Sequence, residues 1–306
     1  MPHVVVAYEP DASALLLMQP TKNRGPMRIV HLHETPDKVL YADSITSRLA
    51  IRYMLDRLNE ADLVILPDEN RAVYATETAG LKRPPVIVMN CPPIQTQLPE
   101  SKLLPWLLAR GIRSSRIVHF QGAIGAERGL AQAIASMRYW PADAVFVIVG
   151  DGSSVVKQQL LELAAQEGMS SRVFFVGRVP YDDVLAFAIG ATVGITMVEP
   201  LNRNTEFCAG ASNKRFEYAA LGIPQVTNTG AGMHSLFEIT GIAMLADIKN
   251  VESIGTTVAR LLLDRSRAIS IGQQARRLHL SSYNYEAQFA PVVERMEEWM
   301  NTRAIT

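Results

Sequence analysis

The segment Ser212–Gly232 reads SNKRFEYAALGIPQVTNTGAG, and its order of residues indicates the kind of fold to expect. Ser212 or Asn213 is the predicted N-cap of an alanine-rich helix, which ends at the GIP triplet beginning at Gly222. The residues from Ile223 to Asn228 then predict a buried strand, and a glycine-rich turn follows it. A helix that leads directly into a buried strand is the repeating unit of parallel α/β sheets.

The same alternation of helix and strand continues along the whole chain. Short apolar runs rich in Val and Ile predict strands buried on both faces, which require a parallel sheet covered by helices. The predicted strands are His3–Tyr8, Arg28–His33, Asp62–Pro67, Pro85–Asn90, Arg116–Gly122, Ala144–Gly150, Arg172–Gly177, Thr192–Met197, Ile223–Asn228 and Ile242–Ala246.

A proline-rich segment separates the first four of these strands from the rest. It lies within Asn90–Ser115 and has the composition of an interdomain linker. We therefore predict two Rossmann-like α/β domains, with a partial N-terminal domain at residues 1–112 and a larger domain at residues 113–283. Residues 284–306 predict a C-terminal helix that packs back on the first domain, with a kink or restart at Pro291.

Composition excludes several classes of protein. The 306 residues are 48% apolar and 20% charged, and 30 basic residues balance 30 acidic ones, so no global field favours nucleic acid or anionic membrane. The two cysteines, Cys91 and Cys208, have no metal-binding spacing. The N-terminus does not resemble a signal peptide, and the apolar run Val184–Val198 is too short to span a membrane and predicts a helix leading into a strand. We expect a soluble, cytoplasmic protein.

The loop after the strand Arg116–Gly122 carries one candidate anion site. Gly122 and Gly125 permit a tight turn, and Arg128 lies at the start of the next helix, a combination that suits a pyrophosphate. Taken alone, the segment is more typical of an ordinary βα turn with a solvated arginine. The spacing is not GxGxxG and no P-loop occurs, which disfavours an NAD-linked dehydrogenase.

The helix of the opening segment carries a second candidate site. Lys214 lies in its first turn, and Glu217 follows one turn later on the same side. A carboxylate there can accept two hydrogen bonds from adjacent ribose hydroxyls while the helix N-terminus meets phosphate.

Five blocks in this order resemble the donor-binding domain of one enzyme family. They read FQGAIGAERGL, FVIVGDGSSVVKQQLLELAAQEG, RVFFVGRVPYDDV, SNKRFEYAALGIPQV and SYNYEAQF. They are similar to the retaining nucleotide-sugar glycosyltransferases of the GT-B fold, the group 1 family. The resemblance implies two Rossmann-like domains facing across a cleft, an acceptor-side domain at residues 1–112 that is shortened, and a donor-binding domain at residues 113–283.

The resemblance also implies roles for individual residues. Arg128 matches the family's pyrophosphate-binding cation, Glu217 its ribose-binding acid, and the loop containing Gly177, Arg178 and Val179 lies against the base. RIVHLHE resembles the strand ending in a histidine beside the reacting sugar, which suggests His33 and leaves His31 open. The expected catalytic residues are His33, Arg128 and Glu217, and the expected donor-binding residues are Gly122, Gly125, Gly177, Arg178, Val179, Asn213 and Lys214.

We expect a nucleoside-diphosphate-sugar co-substrate, such as a UDP-sugar, and no other cofactor. The other major glycosyltransferase fold uses an Asp-x-Asp metal motif, which this sequence lacks, so no metal requirement is expected. The acceptor is unidentified and could be a saccharide, a lipid-linked compound or a small molecule. Nucleic acid is not an expected partner.

Three departures from the family pattern leave an alternative open. Ala209 stands where the family has the first of two acids, with Glu199 and Glu206 as nearby candidates to replace it, and Ala123 replaces a phosphate-binding arginine. The first domain is also short. The alternative is a non-catalytic nucleotide-sugar-binding subunit that needs a partner chain to complete its N-terminal domain. A nucleotide-sugar epimerase needs more acids in the first domain than the sequence shows.

Overall fold

The computed structural model of the protein describes residues 3–20, 25–37 and 44–304. Within them the chain forms two compact α/β units. The first unit contains the chain up to Asn90, the segment Asn202–Ala211 and the chain from Tyr285 onward. The second unit contains Cys91–Leu201 and Ser212–Asn284.

Each unit contains one parallel sheet with helices around it. The strands are β1 Val4–Tyr8, β2 Met27–His31, β3 Leu63–Leu66, β4 Val86–Ile87, β5 Ile117–Gln121, β6 Val145–Val149, β7 Val173–Gly177, β8 Val193–Ile195, β9 Gln225–Asn228 and β10 Ala243–Ala246. The helices are α1 Glu9–Met18, α2 Ile45–Arg57, α3 Glu69–Ala79, α4 Leu103–Leu108, α5 Leu130–Ser136, α6 Ser154–Gln166, α7 Val184–Ala188, α8 Arg203–Glu206, α9 Asn213–Leu221, α10 Val251–Leu263, α11 Arg265–Ser281 and α12 Tyr285–Ala304.

The proline-rich linker belongs to the second unit, unlike the predicted division at residue 112. Its helix α4 buries Leu103 and Leu107 against the sheet strands β5 and β6. The Ser101 hydroxyl also donates to the Ile189 carbonyl, 2.7 Å away. These contacts attach the linker to the unit that follows it in sequence.

The sheet of the first unit has the order β1-β2-β3-β4, with all neighbours parallel. Successive residues of its central strands point to opposite faces. On one face Val30 and Val64 pack with α1, α2 and α3, and on the other Ile29 and Ile65 pack with Val292 of α12. The C-terminal helix therefore covers one face of the first sheet.

Helix α12 runs through Pro291 without interruption. Of the kink or restart predicted at this proline, the restart therefore does not occur. A proline in a helix interior removes one backbone hydrogen bond, and the burial of Val292, which is 0% exposed, offsets part of that loss.

The sheet of the second unit has the order β10-β9-β8-β5-β6-β7, and its neighbours are also parallel. From β5 the chain builds outward through β6 and β7, then returns to the other side of β5 with β8. This is the strand order of a dinucleotide-binding fold, and its direction reverses between β5 and β8. Ligands of such sheets bind beyond the carboxyl ends of the strands at this reversal.

The sheet of the second unit is buried on both faces, as its continuous apolar strands predict. Phe120, Phe146 and Ile148 contribute to the larger core, and Val145 and Val147 point to the opposite face. The apolar run Val184–Val198 forms α7 and then β8, which confirms the prediction of a helix leading into a buried strand. Among the described residues, no helix is long and apolar enough to cross a membrane.

Candidate functional site

The strongest candidate site lies at the carboxyl end of β5 in the second unit. The loop after β5 begins at Gly122, whose φ of 123° is in the left-handed region that favours glycine. Gly122 N–H donates to the Val149 carbonyl at the end of β6, over 3.0 Å. The loop is thereby held against the neighbouring strand end.

The loops after β5 and β6 touch through their backbones. A Cβ on Gly150 would lie 1.9 Å from the Gly122 carbonyl oxygen, and a Cβ on Gly152 would lie 2.1 Å from the Ile124 carbonyl oxygen. Ile124 N–H also donates to the Asp151 carbonyl over 2.9 Å. The loop after β6 therefore helps to shape this edge. The Asp151 carboxylate accepts from Gly152 N–H, at 2.9 Å.

Helix α9 brings the two charged side chains of the opening segment to the same edge. Lys214 is buried, and its ammonium nitrogen lies 4.0 Å from the centroid of the Phe120 ring. The same nitrogen would be 3.2 Å from a Cβ on Gly122, so it lies directly beside the glycine turn. Asn213, the first residue of the helix, is exposed, and Ser212 is the N-cap although its side chain makes no capping hydrogen bond.

Glu217 lies one turn after Lys214 and is partly exposed. Its Oε2 accepts a hydrogen bond from Nε2 of Gln121, the last residue of β5, over 2.6 Å. Burial raises the pKa of the Glu217 carboxyl, while the bond from Gln121 and the charge of Lys214 act in the opposite direction. This carboxylate is therefore held in place with one oxygen already paired.

Arg128 lies in a 3₁₀ turn, Ala126–Arg128, that follows the glycine loop. Its Nε is 2.9 Å from Oε1 of Glu127, and it pairs with this residue rather than with Glu217. A Cβ on Gly125 would lie 2.5 Å from the other Glu127 carboxylate oxygen, so Gly125 leaves room for that acid. Glu127 was not among the residues predicted from the sequence.

The predicted base-binding loop begins at the end of β7. Gly177 has φ 91°, and its carbonyl accepts from Gly150 N–H over 2.9 Å. Arg178 is exposed, and Val179 packs against the apolar cluster beneath the sheet. The loops after β5, β6 and β7 are therefore joined in one continuous edge.

The first unit has a separate candidate cluster at the end of β2. The rings of His31 and His33 stack with centroids 4.6 Å apart, and the Tyr8 ring stacks on His33 and is tilted by 34° to His31. Both histidines lie on the same side of the strand, as alternation predicted. His31 is buried and burial lowers its pKa to about 4, whereas His33 is partly exposed. The exposure favours His33 as the residue that a ligand can reach.

His33 is held from several directions within the first unit. Its backbone N–H donates to Oε1 of Glu9 over 2.7 Å, and its Nδ1 lies 3.4 Å from Oδ1 of Asn90. Its carbonyl accepts from the buried guanidinium of Arg71. Burial raises the pKa of Glu9, and the His33 amide favours its ionised form.

Asn202–Ala211 is built into the first unit, although sequence reasoning assigned it to the donor-binding domain. Arg71 donates from Nε to the Phe207 carbonyl over 2.6 Å and from NH2 to the Asn204 carbonyl over 2.8 Å. Oδ2 of Asp68 accepts from Gly210 N–H at 2.7 Å. Because both side chains start from α3 or its N-cap, the segment is fixed to the end of β3.

The two acids suggested as replacements for the one missing at Ala209 belong to different units. Glu206 is in α8 of the first unit, where its Oε2 is 2.6 Å from NH1 of Arg203. Glu199 is in the second unit, and its N–H donates to the Glu127 carbonyl over 2.7 Å. Ala209 itself is completely buried. In the described ranges, no group of three His, Cys, Asp or Glu side chains is arranged to hold a metal ion.

Sequence reasoning missed Gln121, Arg71 and Asp68. Gln121 could have been noticed as a polar residue at the carboxyl end of a mostly apolar strand. Arg71 and Asp68 bond to residues more than 100 positions away, and no local pattern indicates such partners.

Comparison with known proteins gives a family match and a similarity to curated mycobacterial proteins. Residues 116–264 match the family described as "Glycosyl transferases group 1". The GDP-mannose-dependent alpha-(1-6)-phosphatidylinositol monomannoside mannosyltransferase of Mycobacterium tuberculosis is 25% identical over 165 residues. These residues are 54% of this chain and 42% of the relative, so the chain spans less than half the length of this curated relative.

Solved structures share the fold of the described residues. Anabaena HepE in complex with UDP and glucose has a TM-score of 0.76 at 14% identity, covering 96% of this chain and 78% of that one. Sucrose-phosphate synthase from Thermosynechococcus elongatus has a TM-score of 0.74 at 15% identity, covering 98% and 74%. A glycosyltransferase from Rickettsia africae has a TM-score of 0.69 at 11% identity, covering 98% and 99%. At such low identity these likenesses establish the fold, with its two Rossmann-like sheets.

Proposed function

Since the chain belongs, through residues 116–264, to the glycosyl transferases group 1 family and has the GT-B fold, we propose that it transfers a sugar from a nucleoside-diphosphate-sugar to an acceptor hydroxyl. One observation carries the proposal. The Glu217 carboxylate is held at the carboxyl end of β5, beside the Lys214 ammonium and the Gly122 turn. An acceptor for hydroxyls next to a cation and a glycine turn is the chemistry that a nucleoside diphosphate requires.

Each part of the donor has a proposed partner in the second unit. Glu217 accepts hydrogen bonds from the ribose hydroxyls through its oxygen not used by Gln121. Lys214, Arg128 and the first N–H groups of α9 bind the diphosphate, for which Arg128 exchanges its contact with Glu127. The loop from Gly177 to Val179 brackets the base.

The proposed chemistry is stabilisation of the departing diphosphate. When the bond between the sugar and the diphosphate breaks, negative charge grows on the phosphate oxygens, and Lys214 and Arg128 are the cations we assign to it. We assign His33 to the reacting sugar and infer retention of configuration from the family resemblance. The anomeric configuration of the product, measured by NMR, tests this last assignment directly.

The base of the donor is best chosen by experiment, because the similar proteins differ. The Anabaena structure contains UDP, whereas the mycobacterial relative is GDP-mannose-dependent. A thermal-shift panel of UDP, GDP, ADP and dTDP with the full chain identifies the base, since a ligand that binds only the folded state raises the melting temperature. Glu217→Gln is the matched control, and it should reduce the shift given by the correct nucleotide.

Sugar transfer is then tested with the corresponding donor and a set of saccharide, lipid-linked and small-molecule acceptors. The proposal is supported if the nucleoside diphosphate is released only when an acceptor is present. Wild-type protein that gives no shift with any nucleotide of the panel would refute the assignment of the donor site.

A non-catalytic, donor-binding subunit is the second candidate function. The buried Ala209, where the family has an acid, is the observation that favours it. A chain that binds a nucleoside diphosphate but neither transfers nor hydrolyses the sugar, until a second protein subunit is added, distinguishes this function from the first.

A further inference from the structure

Gln121 is an unusual residue for the position that it occupies. It ends the strand β5, whose residues are all buried, and it is itself only 2% exposed. Its Nε2 donates to Glu217 over 2.6 Å. Its Oε1 is buried and has no hydrogen-bond partner within the described residues. Burying an acceptor without a partner is unfavourable, and an apolar side chain of similar size would avoid this.

Gln225, at the start of β9, shows what a structural glutamine looks like in the same unit. It is fully buried, its Nε2 donates to the Arg215 carbonyl over 2.9 Å, and its Oε1 accepts from the Thr196 hydroxyl over 3.0 Å. Both ends of that amide stabilise the fold. Gln121 makes only one of these two kinds of bond, and its partner is the acid proposed to bind the donor.

The charged and titratable groups around Glu217 are few. The charge of Lys214, on the same helix, favours the ionised form of the Glu217 carboxyl, whereas burial of the carboxyl disfavours that form. Tyr218 is the next residue along α9, and its hydroxyl is engaged with Nδ1 of His119 at 2.9 Å and the His119 carbonyl at 3.0 Å. Burial lowers the pKa of His119 to about 3, so that its ring is neutral. Gln121 is therefore the neutral donor that acts on Glu217 directly.

We infer that Gln121 is a positioning residue, whose amide keeps the Glu217 carboxylate ionised and oriented toward the hydroxyl groups of the donor. The inference rests on the proposed function, because it takes Glu217 as the acceptor for those hydroxyls. The Gln121 amide does not itself touch the donor. Its bond to Oε2 leaves Oε1 of Glu217 to receive the hydroxyl pair.

The inference predicts a change in the pH dependence of binding. A hydrogen bond to a carboxylate favours the charged form, so its removal raises the pKa of Glu217. In Gln121→Met, binding of the nucleoside diphosphate should therefore weaken at a higher pH than in the wild type, with the midpoint about one pH unit higher. Gln121→Glu should move the midpoint further, because two adjacent carboxylates share a proton.

The experiment measures the dissociation constant of the nucleoside diphosphate selected by the panel, from pH 5 to pH 8, for the full chain. Inorganic pyrophosphate is the second probe, and its affinity should change less than about twofold in Gln121→Met. Comparing variants with one ligand cancels the titration of the phosphates themselves. Gln225→Met is the matched control, which should lower the melting temperature without moving the pH midpoint.

The outcomes separate this inference from the proposed function. If the wild type binds the nucleotide and Gln121→Met only melts at a lower temperature, with its pH midpoint unchanged, the inference is wrong and the donor site stands. If Gln121→Met does not fold, the pH midpoint of the nearly isosteric Gln121→Glu is measured instead. A midpoint above that of the wild type supports the inference, and an unchanged midpoint contradicts it. A wild type that binds no nucleotide overturns both.

Discussion

The carboxyl ends of the two sheets are built in different ways. In the second unit, backbone packs against backbone, since Gly150 and Gly152 leave no room for a Cβ beside neighbouring carbonyl oxygens. In the first unit one glycine makes a similar contact, since a Cβ on Gly210 would lie 2.2 Å from the Pro67 carbonyl oxygen. Most of the support there comes from buried side chains, because Arg71 donates to three carbonyl groups and Asp68 accepts from Gly210 N–H. Where glycines line the edge, backbone N–H and carbonyl groups are close enough for a ligand to contact them. Where charged side chains hold the edge, its stability depends on each charged group having a partner.

This difference affects how each edge responds to substitution. A single added Cβ at Gly150 or Gly152 would clash with a neighbouring carbonyl oxygen and break the close backbone contact. Removing a buried guanidinium that donates to three carbonyl groups has a different effect, because it leaves those carbonyl groups without hydrogen-bond donors. The predictions below use this contrast, beginning with the largest expected effect.

Gly150→Ala should be the most damaging single substitution at the second edge. The added Cβ would lie 1.9 Å from the Gly122 carbonyl oxygen, and the φ of 140° is itself unfavourable for alanine. We expect the free energy of unfolding to fall by about 3 kcal/mol or more, together with loss of nucleotide binding. Urea unfolding followed by circular dichroism measures the first effect.

Gly168→Ala is the matched control for this substitution. Gly168 also has a positive φ, of 72°, but a Cβ there would meet nothing within 4 Å. The expected cost is about 1 kcal/mol, from backbone conformation alone. Equal losses in the two variants would show that close backbone packing is not what holds the second edge together.

Arg71→Met tests the first edge in the same way. The substitution removes the donors of the Asn204, Phe207 and His33 carbonyls, at about 1 kcal/mol each, so the free energy of unfolding should fall by about 3 kcal/mol. Nucleoside diphosphate affinity should stay within about twofold of wild type, because the proposed donor site lies wholly in the second unit.

The exposed Arg57, paired with Glu60 at 3.1 Å, provides the control, and Arg57→Met should cost less than about 0.5 kcal/mol. Limited proteolysis adds a local measurement, since cleavage within Asn202–Ala211 should become faster in Arg71→Met only. Strong loss of nucleotide binding in Arg71→Met would contradict the assignment of donor binding to the second unit alone.

The same contrast explains how much could be predicted from the sequence. Every strand was predicted because continuous runs of Val, Ile and Phe are a local signal, and β4 differs only in being reduced to Val86–Ile87. Gly122 and Gly177 were recognised because a strand end followed by glycine is also local. Membership of Asn202–Ala211 in the first unit was not predictable, since it depends on Arg71 and Asp68, which are distant in sequence.

The candidate site shows the same limit. Lys214 and Glu217 were expected on one side of a helix from their spacing alone, and the structure places Lys214 beside Gly122. The partner of Glu217 was not predicted, because a glutamine at a strand end has no pattern that points to a helix 96 residues later. The pairing of Arg128 with the adjacent Glu127 was missed for another reason, since sequence does not show which of several nearby charges a side chain will choose.

Glu217→Gln tests the donor assignment at the second edge. Loss of a carboxylate that accepts from hydroxyls should weaken nucleoside diphosphate binding by about tenfold or more, which corresponds to roughly 1.5–3 kcal/mol. Binding of inorganic pyrophosphate should change little, because it has no hydroxyl groups for the acid to accept from. Arg128→Ala should weaken both ligands, and identical profiles for the two variants would mean that the ribose and phosphate assignments are wrong.

His33→Ala should have the smallest effect on nucleotide binding, less than about twofold, and yet lower sugar transfer. His33 belongs to the first unit, and we assign its partly exposed ring to the reacting sugar rather than to the nucleotide. A contact made at the reacting centre contributes to turnover without contributing to the affinity for the diphosphate.

The Nδ1 atom of His33 lies near Asn90 and its ring stacks on His31, so loss of the ring also removes packing. His31→Ala is therefore the control, because His31 is buried behind it and should lower the melting temperature with little specific effect on turnover. If His33→Ala melts earlier but transfers sugar at the wild-type rate, His33 is a structural residue of the first edge. If both variants lose transfer in proportion to their loss of stability, the histidine pair supports the strand end and the reacting sugar is bound elsewhere.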